Sequence, residues 1–145
     1  VETVLPLFGS REGPRDINGV RVVSFCDFYG ENDEIVRDTE KMRRFLPEQK
    51  TKKPLIVCQH NPIYPMQIGS HPFSPEQADE ITELYSSRGV LLSLSGHMHA
   101  RFAPVKIGGT VFLICPSVCE EPHSYTLLEV EGGEFRYEFR EISTP

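Results

Sequence analysis

Residues 89–100 read GVLLSLSGHMHA, an apolar run that ends in a glycine and two histidines two positions apart. Residues 90–95 have the length and composition of a buried strand. Successive side chains of an extended chain alternate sides, so His97 and His99 fall on one face just where that strand runs out. Two neutral imidazoles aimed at one locus suggest a metal. Gly96, immediately before them, offers the backbone a sharp turn at the strand end.

The segments upstream turn this strand into a topology. Ser74-Pro75-Glu76-Gln77 has the form of a capping box, and it opens a helix that carries Ala78, Ile81, Leu84 and Tyr85 inward and stops at Gly89. Before it stands PLIVC (54–58), a short apolar strand, and then QHNPIYPMQIGSHPF (59–73), a loop punctuated by Pro62, Pro65 and Pro72. His60 therefore sits at the C-terminal lip of one strand and His97 and His99 at that of the next. In a parallel strand-helix-strand unit both lips share one edge of the sheet, so three imidazoles distant in sequence are brought together.

The same reading extends to both ends. VRVVSFCDF (20–28) is strand-like, and Asn32 or Asp33 is placed to cap a helix with Ile35, Val36, Thr39, Met42, Phe45 and Leu46 on one stripe, ended by Pro47. Beyond His99 the pattern becomes hairpins: RFAPVKI and TVFLIC flank Gly108-Gly109, and SYTLLEV and EFRYEFREI flank Gly132-Gly133. In the last strand Phe135, Tyr137 and Phe139 alternate with Arg136, Glu138 and Arg140, one side for a core and the other for water. The fold class is α/β: two αβ units followed by a β meander.

Composition sets the outer bounds. With 145 residues, 39% hydrophobic and 25% charged, the chain suits one domain unit over 1–145. A net charge of −6 and a pI near 5.4 speak against a nucleic-acid platform, and the basic clusters KMRR and KTKK read as solvated. No apolar run approaches the roughly 20 residues of a membrane helix, and VETVLPLFGS lacks the features of a signal peptide, so a cytoplasmic location is expected. Cys26, Cys58 and Cys115 lie in or beside apolar runs and read as reduced core residues; with Cys119 they form no CxxC pair. His71 and His123 sit in proline-containing loops, where an exposed polar residue is the default.

LIVCQHNPIYP followed by a helix, a strand and LSGHMHA resembles the last two sequence blocks of the calcineurin-like metallophosphoesterases: an apolar strand with His-x-Pro, then Gly-His-x-His. The resemblance implies the C-terminal half of a four-layer αββα sandwich. It implies that His60 and His97 ligate one metal of a dinuclear centre and His99 the other, the ions being Mn, Fe or Zn. It also implies that the loop carrying Tyr64, Met66, Gln67 and His71 touches a phosphate-ester substrate. The family's three earlier blocks, which supply the bridging carboxylate, further ligands and a catalytic histidine, are absent: the sequence contains no Gly-Asp pair and no Asp-x-His. Three neutral imidazoles do not balance two dications, so the chain alone is expected to hold at most one weakly bound ion, to contribute no catalytic residue of its own, and to be inactive until completed by an N-terminal half or by self-association. Two other functions fit the same residues: a mononuclear three-histidine zinc hydrolase, and a non-catalytic binding module.

Overall fold

The computed structural model describes residues 11–48, 52–63 and 73–142. Its central sheet is built from β1 (Gly13–Ile17), β2 (Val20–Ser24), β5 (Leu55–Cys58), β6 (Leu92–Ser95), β7 (Val105–Ile107) and β8 (Thr110–Ile114). These six strands lie in the order β1-β2-β5-β6-β8-β7. The four inner strands run parallel, and β1 and β7 close the edges antiparallel. Two short pieces, β3 (Phe28–Tyr29) and β4 (Ile35–Val36), pair with each other, as do the long strands β9 (Ser124–Glu131) and β10 (Glu134–Glu141). The helices are α1 (Thr39–Phe45) and α2 (Ala78–Arg88). The α/β class and the mostly parallel sheet agree with the sequence reading.

Strand alternation divides the core between two faces. Leu55 and Val57 join Val23, Met42, Leu46, Ile81, Leu84, Tyr85 and Phe112 under the helices. Ile56 points the other way and, with Leu92 and Leu113, meets Leu128, Val130, Phe135 and Phe139 of the β9–β10 ribbon. The layers are thus helix, sheet and ribbon. Phe135 and Phe139 face the sheet while Tyr137 is more exposed, so the aromatic side of the last strand is only partly core. The four cysteines are free thiols; Cys26, Cys58 and Cys115 are half-buried and Cys119 is exposed.

Three expectations require correction. Ile35 and Val36 lie in β4, not in a helix, and α1 starts only at Thr39, capped by the Asp38 carboxylate, which accepts the Lys41 N–H at 2.8 Å. The reason is local: Asp33 adopts a left-handed φ of +61° that breaks a helix before it begins, and β-branched Ile-Val prefers the extended chain. The N-cap position of α2 is Gln77, which makes no side-chain capping bond, rather than Ser74, although Gly89 terminates the helix in the left-handed conformation as expected. The four C-terminal strands do not form one meander, since β8 enters the central sheet parallel to β6 and only β9 and β10 stand apart. Residues 13–17 also form a strand, joined to β2 by a tight Asn18-Gly19 turn. Among the described residues no helix is long and apolar enough to cross a membrane.

Candidate functional site

The parallel register of β5 and β6 sets Cys58 beside Leu94, so the chains leaving both strands emerge at the same edge. The Gln59 N–H donates to the Leu94 carbonyl at 3.1 Å and the Gly96 N–H to the His60 carbonyl at 2.9 Å, which extends the pairing past the strand ends. Here the imidazoles of His60 and His97 meet. His97 Nδ1 lies 3.2 Å from His60 Nε2, with the rings nearly perpendicular at 86°. Phe73 also lies against His97, ring centres 4.2 Å apart and the rings tilted by 58°.

The backbone after β6 turns in an unexpected place. A β-carbon on Gly96 would meet only ordinary contacts at 3.9 and 4.0 Å. The left-handed conformations fall instead on the histidines, His97 at φ +64° and His99 at φ +50°. A hydrogen bond from the Met98 N–H to the Gly96 carbonyl at 2.7 Å closes a three-residue turn around His97. Non-glycine residues visit this region at some energetic cost, and such strain collects at functional sites.

His99 does not join the pair in this geometry. Its Nδ1 lies 2.9 Å from the Glu120 carboxylate, at the wall of a shallow cleft of about 360 Å³ that also takes in Arg101, Ser117 and Ser124. Glu120 belongs to the loop after β8, which reaches this edge because β8 runs parallel to β6. With Nδ1 as donor to the carboxylate, the imidazole keeps its Nε2 lone pair for another partner.

The donor set can be tested for fit to a metal. Two nitrogens bound to one ion at about 2.0–2.1 Å, as in zinc sites, stand roughly 2.9–3.4 Å apart for tetrahedral or octahedral angles. The His60–His97 separation lies in that range, and the same spacing suits an N–H···N hydrogen bond. Among the described residues no cluster of three or more ligating side chains occurs, so the chain presents a two-imidazole corner with His99 turned aside. Cys58, two residues before His60, faces the ribbon cluster; burial, with Cys115 nearby, pushes its thiol up to about 11, which keeps it a protonated neutral group. Tyr64, Met66, Gln67 and His71 lie outside the described residues. His123 faces the Val118 carbonyl at 3.0 Å and stays in its loop.

Beneath His60 lies a polar network that the sequence reading missed. Asp27 and Arg37 form an ion pair with side chains 5% and 1% exposed. Asp27 also accepts from the backbone N–H and side-chain amide of Asn61, each at 2.8 Å. Arg37 donates to Gln59 Oε1 at 3.1 Å, where the Tyr85 hydroxyl also donates at 2.7 Å, and Gln59 Nε2 donates to Ser93 Oγ at 2.9 Å. Burial drives the Tyr85 phenol pKa strongly up, opposed in part by Arg37, so it remains a donor. The signal available in the sequence was a carboxylate inside the apolar run SFCDFYG and an arginine directly after Ile-Val.

No family model matches the chain, and no curated protein matches it. Solved structures do. TT1561 of Thermus thermophilus aligns at a TM-score of 0.53 and 14% identity, over 94% of this chain and 61% of that one. A hypothetical protein from the same organism aligns at 0.51 and 13%, over 92% and 62%, and a further crystal structure at 0.57 and 16%, over 92% and 53%. The chain thus spans between about half and three fifths of the structures it matches. At these identities the likeness is one of fold, an α/β layered unit nearly as long as this chain and contained within larger ones.

Proposed function

We propose that the chain supplies the His-x-Pro and Gly-His-x-His part of a metal-dependent phosphoesterase centre. The observation that carries the reading is the 3.2 Å approach of His97 Nδ1 and His60 Nε2 at the C-terminal ends of adjacent parallel strands, the edge at which α/β sheets commonly bind ligands. His60 and His97 would hold one ion. His99, oriented by Glu120, would serve a second ion in the completed enzyme. Bound divalent or trivalent ions, Mn, Fe or Zn, would activate water and neutralise phosphoryl oxygens.

This chain's own residues have limited tasks in that scheme. Two imidazoles donate without adding charge, Phe73 packs on the His97 ring, and Glu120 is the described carboxylate that reaches a histidine of the motif. The carboxylates needed to retain a dinuclear centre would come from an additional segment or partner, in keeping with solved structures of the same fold that extend well beyond the length of this chain. The substrate class is a phosphate ester, with the loop of Tyr64, Met66, Gln67 and His71 as its proposed contact.

Zinc titration of the purified chain by calorimetry tests the reading. About one ion per chain is expected, bound weakly, with the affinity falling at least tenfold in His97→Ala and in His60→Ala. Hydrolysis of p-nitrophenyl phosphate by the chain alone should stay near background. Equal zinc binding by wild type and both variants, or zinc-independent turnover insensitive to His97, would overturn it.

A further inference from the structure

We propose that the buried Asp27–Arg37 ion pair is a positioning device for His60, so that Asp27, Arg37 and Asn61 govern the metal affinity of an imidazole that none of the three is observed to touch. The inference rests on reading His60 and His97 as ligands, but its central observation is independent of that reading. Both neighbours of His60 in the chain are clamped from below. Gln59 receives hydrogen bonds from Arg37 and Tyr85 and donates to Ser93, while Asn61 gives both its backbone N–H and its side-chain amide to Asp27. The chain bends at His60 and Asn61, just past the end of β5, so the inward anchors on Gln59 and Asn61 fix both ends of the bend from which the His60 imidazole reaches His97. The His60 carbonyl is held in turn by the Gly96 N–H. The main chain at this one position is thereby fixed from three directions.

The chemistry of the pair favours this role over simple stability. Removing two charges from water is expensive, and well-packed apolar residues of the same size often stabilise a core as well or better. Asp27 and Arg37 nevertheless occupy the core, and between them they reach both Gln59 and Asn61. An apolar pair would fill the volume but could not direct the two amides. Outer-shell partners of metal-binding histidines typically change affinity by 10- to 100-fold when removed.

The test compares wild type with Asp27→Asn and, as a control for lost stability alone, Val90→Ala, a buried position whose backbone N–H binds the Tyr85 carbonyl but whose apolar side chain makes none of the network's hydrogen bonds. Two readouts are used: the nuclear Overhauser contact between the His60 and His97 ring protons, recorded without metal, and zinc affinity by calorimetry. Asp27→Asn should abolish the inter-ring contact and weaken zinc binding tenfold or more, whereas Val90→Ala should preserve both while lowering the melting temperature. Asn61→Ala leaves the ion pair in place and removes one of the three hydrogen bonds that tie it to the His60 segment; it should weaken the inter-ring contact and decides the matter if Asp27→Asn does not fold. An inter-ring contact and zinc affinity that survive in a folded Asp27→Asn, or an inter-ring contact unchanged in Asn61→Ala, would make the pair purely structural and overturn the proposal, as would a wild-type chain without the inter-ring contact. A wild type that shows the contact yet binds no zinc would sink the metal reading, and the ring contact would then decide the positioning role by itself.

Discussion

His97 and His99 are held in backbone conformations that histidine does not favour, at φ +64° and +50°. Left-handed geometry costs an L-residue with a β-carbon roughly 1–2 kcal/mol relative to glycine, partly offset by the greater freedom glycine loses on folding. His99 has little to set against that cost, because its contact with Glu120 is exposed on both sides, and such surface contacts contribute little. His99→Gly should therefore leave the chain as stable as wild type or raise its stability by up to about 1 kcal/mol in urea unfolding. A loss above that size would mean that the turn is not strained. A residue kept against its own conformational preference points to a role other than folding. The meeting of His60 with His97 followed from the parallel strand-helix-strand reading, which placed His99 there as well; the turn of His99 to Glu120 was not legible. Glu120 is 21 positions away, and its approach depends on β8 joining the sheet beside β6.

At the scale of the element, caps decided what periodicity could not. Met42 and Leu46 fall at helical spacing and are buried as expected, but extending their stripe back to Ile35 overran the true start. Asp38 is that start. Replacing it by Ala should cost about 1 kcal/mol, since it removes a side-chain acceptor from one of the otherwise unsatisfied N–H groups of the first turn; Asn32→Ala, at an exposed position outside the helix, should change stability by less than half of that. Hairpins showed the same contrast. Gly108-Gly109 and Gly132-Gly133 were readable because apolar strands flank them, and the structure places tight turns at both. Asn18-Gly19 is as strong a turn signal, yet the strand before it, Gly-Pro-Arg-Asp-Ile, is too polar to announce itself. Edge strands need little apolar surface, so composition alone hides them.

Taken as a whole, the molecule has inner strands enclosed by apolar side chains and a β1 margin tied by charge, and that division was only half visible in the sequence. The inner strands declare themselves through Val, Ile and Leu; long-range charge contacts leave no periodic trace. Asp16 on β1 accepts from Arg21 at 2.9 and 3.1 Å and from Lys53 at 2.8 Å. Glu12, just before β1, accepts from Lys41 of α1 at 2.7 Å and from the Cys26 N–H at 3.0 Å. The hydrogen bonds from Arg21 and Lys53 hold the Asp16 carboxyl far below its ordinary 3.8. At Glu12 burial acts upward, but the bonds from Lys41 and the Cys26 N–H outweigh it and leave the group below 4.5. A carboxylate whose folded pKa is depressed contributes stability that is present above its unfolded value and lost as pH falls toward the folded one. The window therefore opens near pH 4.5 for Glu12 and near 3.8 for Asp16 and extends downward from there. Because both ties lie at the β1 margin while β5 and β6 are enclosed by apolar side chains, acid should loosen the edge before the centre. Hydrogen exchange at about pH 3 and about pH 6, corrected for intrinsic rates, should show β1 amides losing protection relative to those of β5 and β6 at the lower pH, and Asp16→Asn should reproduce part of that loss at the higher one. Added salt at the higher pH should act in the same direction, since exposed pairs are screened. Equal protection ratios between β1 and β5 at the two pH values would show that the edge is held by backbone pairing alone.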